Sequence, residues 1–216
     1  MLKSFFLNLL FPVRCLNCGN EGSWLCQKCF RRLSFADRKR KNNLIIPNLK
    51  KIFIAGDYDD KLLAELIKKF KYNFLPEIGK ILGRFLIMSW QSVLADRLIE
   101  EKKIILIPIP LSSKRLRWRG FNQAEILAQE LADYFSYPIS LGLKRTKHHK
   151  PQAELAETKR LINVQNAFSW AGDNLEDWNI VLIDDVATTG ATLNEAAKTL
   201  KISGAKNIYG LVVAKG

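Results

Sequence analysis

Apolar and polar positions along this chain follow two periods. Ile52-Phe53-Ile54-Ala55-Gly56-Asp57-Tyr58 is a short β-branched and aromatic run that predicts a strand. Asp60 is placed to cap a helix. Leu62, Leu63, Leu66, Ile67 and Phe70 then recur at helical spacing, with Lys61, Lys68, Lys69 and Lys71 largely opposite. A second helix is expected from roughly Pro76 to Leu98, carrying Ile78, Leu82, Phe85, Leu86 and Val93. Ile104 to Pro110 reads as a buried strand ending at prolines, and a helix from about Asn122 to Phe135 turns Ile126, Leu127, Leu131 and Phe135 inward. Tyr137 to Leu141 is expected as a short strand. Ile180–Ile183 and Ile208–Ala214 are further strands, with a helix over Leu193–Leu200 between them. Strands alternating with helices predict an α/β domain with a mainly parallel sheet flanked by helices.

Ligands of such sheets bind beyond the carboxyl ends of the strands. Asp184 and Asp185 sit there, and Val186-Ala187-Thr188-Thr189-Gly190-Ala191-Thr192 leads into a helix. Two acids followed by a Thr/Gly loop at a helix N-terminus suit a sugar phosphate. The free N–H groups and positive dipole end attract the phosphate. Thr188, Thr189 and Thr192 offer hydroxyls, and Gly190 permits close backbone approach. Asp184 and Asp185 can accept from ribose hydroxyls or hold a hydrated magnesium ion. The string resembles the phosphoribosyl pyrophosphate (PRPP) motif of type I phosphoribosyltransferases.

Two other segments can carry chemistry. Ser112, Ser113, Lys114, Arg115, Arg117, Trp118 and Arg119 follow the Ile104 strand and are expected as a loop on the same sheet edge. Its crowded cations are matched by an anion such as pyrophosphate; a solvated basic turn is the plain alternative. Asn122 can cap the next helix, and Trp118 can stack on a base or pack. Lys144 to Arg160, with Lys150, Gln152 and Arg160, reads as a polar lid, and the segment continues to Asn163, Val164, Asn166 and Phe168. His148 and His149 within it are candidates for proton transfer, less so for metal.

The chain's 216 residues are 48% hydrophobic, ample for one core and a small added module, and its 34 basic against 21 acidic residues leave +13. That excess favours an anionic partner such as nucleic acid. The run Arg38-Lys39-Arg40-Lys41 contributes to it but would also suit a solvated linker. All four cysteines lie together as Cys15-x-x-Cys18 and Cys26-x-x-Cys29. Two such turns complete a tetrahedral, closed structural zinc site; disulfides and a redox pair are the alternatives. Residues 1–11 suggest a short amphipathic helix rather than a signal peptide, and no stretch is long enough to span a bilayer. The expected division is 1–50 for the N-terminal helix, zinc module and basic linker and 51–216 for the α/β domain. A cytoplasmic protein without membrane insertion is expected.

The chain as a whole resembles the ComF family of competence-associated proteins. The resemblance rests on Leu9-Leu10-Phe11-Pro12 before the cysteine pairs, Arg119-Gly120-Phe121-Asn122-Gln123-Ala124-Glu125, the stretch from Lys150 through Leu155 with Arg160 and Asn163, and the acid–Thr/Gly string. It implies a type I phosphoribosyltransferase fold, a mainly parallel twisted sheet, with an N-terminal zinc module. It also implies a role in natural transformation, binding Mg–PRPP and single-stranded DNA and acting with a translocation helicase or channel. A salvage-type phosphoribosyltransferase and a non-catalytic PRPP sensor are the other readings. In the enzyme reading the 5′-phosphate lies on Ala187 to Thr192, Asp184 and Asp185 hold the ribose, the Ser112–Arg119 segment takes pyrophosphate and the Lys144–Arg160 segment closes over it. Purine-type relatives carry a base-binding hood past the last strand; with the sequence ending at Gly216, a hood is expected from N-terminal segments.

Overall fold

The computed structural model of the protein describes residues 12–36, 44–72, 75–99, 103–146 and 167–216. The 1–11 helix, the Arg38–Lys41 run and most of the expected lid, including His148, His149, Lys150, Gln152 and Arg160, lie outside the described residues. Four strands form a parallel sheet in the order β1 (Lys51–Asp57), β6 (Asn207–Lys215), β5 (Asn179–Ala187), β2 (Ile104–Pro108). A separate antiparallel pair joins β3 (Leu143–Arg145) to β4 (Phe168–Trp170).

The period-2 character of the strands sorts their side chains to two faces. Phe53, Ala55, Val181, Ile183, Leu211 and Val213 face one core, with α2 (Lys61–Tyr72), α3 (Glu77–Ala95) and α5 (Gln123–Phe135). Ile52, Ile54, Ile180, Leu182, Ile208 and Val212 face the other, which is covered by α6 (Ala191–Ile202), Ile46 and the β3–β4 pair. Burial on both faces explains why these strands read as continuous apolar runs. Helices α3 and α5 approach closely: a Cβ on Gly83 would stand 2.5 Å from Glu130 Cβ.

The caps follow the sequence. Asp60 Oδ1 accepts the N–H of Leu62 and Leu63 at 3.0 and 3.2 Å, and Asn122 Oδ1 accepts that of Ala124 at 3.1 Å. Three expectations need correction. The Ser112–Arg119 segment is not a loop: Ser113–Arg119 is the helix α4, with Ser112 Oγ accepting from Arg115 N at 3.4 Å and Gly120 closing it at φ +76. A Ser cap and a C-terminal Gly are the usual signals of such a helix, and the four cations masked them. Tyr137–Leu141 contributes only a parallel bridge, Ile139 to Leu106, on the outer edge of β2. Lys144 and Arg145, expected at the start of the lid, are in β3 instead, where the Arg145 guanidinium lies 5.3 Å from the ring of Phe168 in β4.

The cysteine module shares a core with the sheet. Its four-residue helix α1 (Gln27–Phe30) brings Cys29 and Phe30 into the cluster containing Phe53 and Phe85. Among the described residues no helix is long and apolar enough to cross a membrane.

Candidate functional site

A cavity of about 590 Å³ opens at the carboxyl ends of β2 and β5. Strand β5 runs through the acid pair, so Asp184 and Asp185 point to opposite sides of the strand at the cavity. From the end of α2, Lys71 Nζ reaches Asp185 Oδ1 at 2.8 Å, and both side chains are largely buried. Asp184 Oδ1 accepts the Asp185 N–H at 2.8 Å. Burial first, and the neighbouring Asp185 charge second, push the Asp184 carboxyl up to about 7 against the pull of Lys71 and Arg145. Burial and the nearby Arg115 lower the Arg145 guanidinium below its ordinary range, while Asp184 opposes them. The acid pair thus meets cations from α2, α4 and β3.

The loop after β5 is braced from below. Gly190 sits at φ +73, and a Cβ there would fall 2.5 Å from Ile46 Cδ1. Both counts demand glycine. Ile46 is held near by Asn48, whose backbone N–H and Nδ2 each donate to Asn194 Oδ1 at 3.1 Å. Gly190 is the N-cap residue of α6, Thr188 and Thr189 are exposed, and Thr189 Oγ1 accepts from Ala191 N at 3.4 Å. Ala187 is buried beneath them.

Of the residues singled out in the sequence, Asp184, Asp185, Thr192, Lys114, Arg115 and Arg119 line this one cavity. Ser112 serves as a cap and Ser113 opens α4. Arg119 is only 7% exposed, its Nη1 donating to Gln123 Oε1 at 3.0 Å. Sequence reasoning missed Lys71, Tyr72, Gln123 and Arg145 in this lining. Lys71 looked like one more cation on the polar face of an amphipathic helix. Its position in the last turn, facing a sheet edge that ends in acids, is the signal that distinguishes it.

The second candidate site is the cysteine knuckle. The sulfurs of Cys15, Cys18, Cys26 and Cys29 all lie within 4.8 Å of one another, with Cys18 and Cys26 at 3.7 Å. Zinc–sulfur bonds of about 2.3 Å in a tetrahedron put sulfurs about 3.8 Å apart, so the cluster can bind a metal such as zinc. Burial pushes the Cys15 thiol up, but the N–H groups of Cys26, Cys18 and Asn17 prevail and bring it down to about 6. The Asn20 N–H favours the Cys18 thiolate, yet its sulfur neighbours raise that thiol to about 11. Asn17 Nδ2 donates to Cys29 Sγ at 3.2 Å.

A parallel sheet with an acid-ended strand, a Thr/Gly turn and a helix N-terminus defines a phosphoribosyltransferase-type domain, and a sequence model of the phosphoribosyl transferase domain matches residues 119–216. Over 201 residues the chain is 34% identical to Competence protein F of Haemophilus influenzae, covering 92% of this chain and 82% of that protein. It is 32% identical to Competence protein ComFC of Bacillus subtilis over 163 residues, 76% of this chain and 56% of that one, so it spans little more than half of that relative. It is 30% identical to DNA utilization protein YhgH of Salmonella typhimurium over 165 residues, 75% and 70% of the two chains. The chain belongs to the ComF family of competence proteins.

Proposed function

We propose that this protein binds PRPP, or a closely related ribose phosphate, at the β2–β5 edge and handles single-stranded DNA in competence. The carrying observation is the convergence of Asp184, Asp185, Thr192, Lys114, Arg115 and Lys71 on one cavity. The N–H groups at the start of α6 and the hydroxyls of Thr188, Thr189 and Thr192 receive the 5′-phosphate. Asp184 and Asp185 accept from the ribose hydroxyls. Lys114 and Arg115 receive the diphosphate, with Arg119 beside them.

The oxygen donors of the acid pair fit magnesium, a hard cation. When bound, magnesium neutralises and orients the diphosphate. Lys71 already supplies one positive charge at Asp185, so the acids are held in place before a cation or ribose reaches them. At the knuckle the four thiolates hold structural zinc with no open position, which assigns it to folding rather than catalysis. The names of the relatives, with the net charge of +13, support DNA as the macromolecular partner, in the cytoplasm and alongside a translocation helicase or channel.

The test is PRPP-dependent pyrophosphate release, measured with a panel of bases and with single-stranded DNA, in wild type and Asp185→Asn. Tight PRPP binding with no turnover supports a binding role in competence. Turnover with a free base, lost in Asp185→Asn, supports a salvage transferase instead. No PRPP binding at all overturns the pocket reading.

A further inference from the structure

The cysteine knuckle carries a charged outer face that the pocket does not use. In α1 and the turn after it, Cys29 and Phe30 are buried in the core while Lys28, Arg31 and Arg32 are exposed. Backbone hydrogen bonds hold this turn: the N–H groups of Arg31, Arg32 and Leu33 donate to the carbonyls of Gln27, Cys29 and Phe30 at 3.2, 3.0 and 3.1 Å. Arg84, exposed on α3, is fastened to the same turn. Its Nη1 donates to Gln27 Oε1 at 2.7 Å, and its guanidinium carbon stands 4.5 Å from the Phe30 ring centre. Among the described residues no carboxylate pairs with any of these four cations. Acids of the neighbouring segments are engaged elsewhere. Glu21 pairs with Arg14 at 3.0 Å, and Asp60 accepts the N–H groups of Ser34, Leu62 and Leu63.

Four like charges gathered on one small face repel one another. Zinc held by four thiolates carries about two negative charges and would offset part of this. Yet the hydrogen bonds to the sulfurs come from Asn17 and the Cys26 N–H, not from these cations. An anion that spans several of them relieves the rest, and a chain of phosphates does this. The apolar side chains of this segment, Leu25, Phe30 and Leu33, are buried, so the face offers little to insert into a bilayer. Phe35 is the exception. It is 44% exposed and stacked at 4.4 Å on Phe85, a flat ring of the kind on which single-stranded bases stack.

We infer that Lys28, Arg31, Arg32 and Arg84 form a phosphate-tracking surface for single-stranded DNA, on the knuckle and apart from the ribose-phosphate pocket. The inference rests on the DNA part of the proposed function and gives that function a location. None of the four residues lines the pocket. The strand and PRPP therefore draw on different cations and bind together. Arg84 belongs to α3 and the other three cations to the knuckle, so the strand crosses the seam between the two regions.

The experiment is fluorescence anisotropy of a labelled oligo(dT) at several salt concentrations, alongside calorimetric titration of the same full-length proteins with Mg–PRPP. Each lost phosphate contact lowers the salt slope for a single strand by about 0.7. The triple variant Lys28→Gln, Arg31→Gln, Arg32→Gln should therefore lower it by about two and weaken binding about tenfold or more near 0.1 M salt. Arg84→Gln alone, outside the knuckle, should lower the slope by about 0.7. Arg31→Lys with Arg32→Lys should bind within about threefold of wild type, because a phosphate chain reads charge. In the triple variant PRPP affinity should stay within about twofold, and metal content by atomic absorption should match wild type. Saturating Mg–PRPP should leave oligonucleotide affinity unchanged. Unchanged oligonucleotide affinity and slope in the triple variant would overturn the surface and leave DNA binding standing. Loss of metal from that variant, with a normal slope in Arg84→Gln, would also overturn it, because the cations would then serve the cysteine site. Displacement of the strand by PRPP would refute the separation of the two sites. Binding of wild type to phosphatidylserine vesicles that the triple variant loses, while its oligonucleotide binding persists, would assign the face to a membrane instead. Wild type that binds PRPP but no oligonucleotide at low salt would overturn both the surface and the DNA role, and leave the ribose-phosphate pocket intact.

Discussion

The cysteine knuckle and the sheet-edge pocket both crowd groups of like charge, and they relieve the crowding in opposite ways. At the knuckle four sulfurs lie within 4.8 Å, on turns and a four-residue helix with no side-chain cap. No cation of the protein pairs with them there among the described hydrogen bonds and ion pairs; the neighbours are N–H groups and Asn17. At the pocket two carboxylates are also adjacent, but Lys71 and Arg145 face them and the strands beneath are buried on both sides. In the proposed function, one region takes its counter-charge from a guest ion. The other carries its own counter-charges and is organised before a ligand arrives.

The largest effect should come from taking away the knuckle's ion. Binding free energies for structural zinc are about 10–16 kcal/mol, as large as the whole stability of a domain. Cys29 is 1% exposed and packs in the core that holds Phe53 and Phe85, so losing the knuckle uncovers that core. Cys29→Ser, or prolonged chelation of wild type, should lower Tm by more than about 10 °C or prevent folding. A chelated, metal-free protein with unchanged Tm would break the comparison on this side.

Next in size is Asp185→Asn, which strands a largely buried ammonium. Breaking such a pair from one side costs about 3–5 kcal/mol, and partial exposure of Lys71 points to the lower end. Denaturant unfolding should show this loss, and PRPP binding should disappear. Adding Lys71→Met should recover most of the stability without recovering binding. If the single variant is as stable as wild type, the pocket does not rely on its internal counter-ion.

Gly190→Ala should follow, at about 1–3 kcal/mol, from the left-handed backbone and the contact with Ile46. Ile46→Val should relieve part of it. PRPP affinity should fall about tenfold while metal content, measured by atomic absorption, stays at the wild-type level. A parallel fall in metal content would show that the two regions are coupled rather than separately built.

The sheet, its order of elements and both acids were legible because each rests on local signals. Apolar runs mark doubly buried strands, Asp60 and Asn122 cap helices, and a Thr/Gly turn ends a strand. What was illegible depends on approach across the fold. Lys71 reads as solvent-facing until the sheet edge brings Asp185 to it. Arg145 reads as lid until the short β3–β4 pair places it against Asp184. Helix α4 was hidden by its own charges, which a solvated loop would also show. Ile46, in a stretch that reads as basic linker, is buried under Gly190; no periodicity over so short a segment announces it.

The smallest expected effect probes how fully the pocket's counter-charges succeed. They hold Asp185 against Lys71, but Asp184 is still pushed up to about 7, by burial foremost and then by Asp185. In the unfolded chain an aspartate titrates near 3.9. Between about pH 4 and pH 7 the folded protein therefore keeps a proton that the unfolded chain has lost. Stability contributed by this group is full at the acid end of that window, declines as pH rises through it, and is level above it. In buffer without magnesium or PRPP, the Tm of wild type should fall by a few degrees across the window relative to Asp184→Asn, which has no proton to lose there. Wild type and variant with parallel pH profiles would mean that Lys71 and Arg145 neutralise both acids in full. A sloping difference would mean that the pocket keeps one acid in reserve, charged only when a cation or a ribose hydroxyl comes to share it.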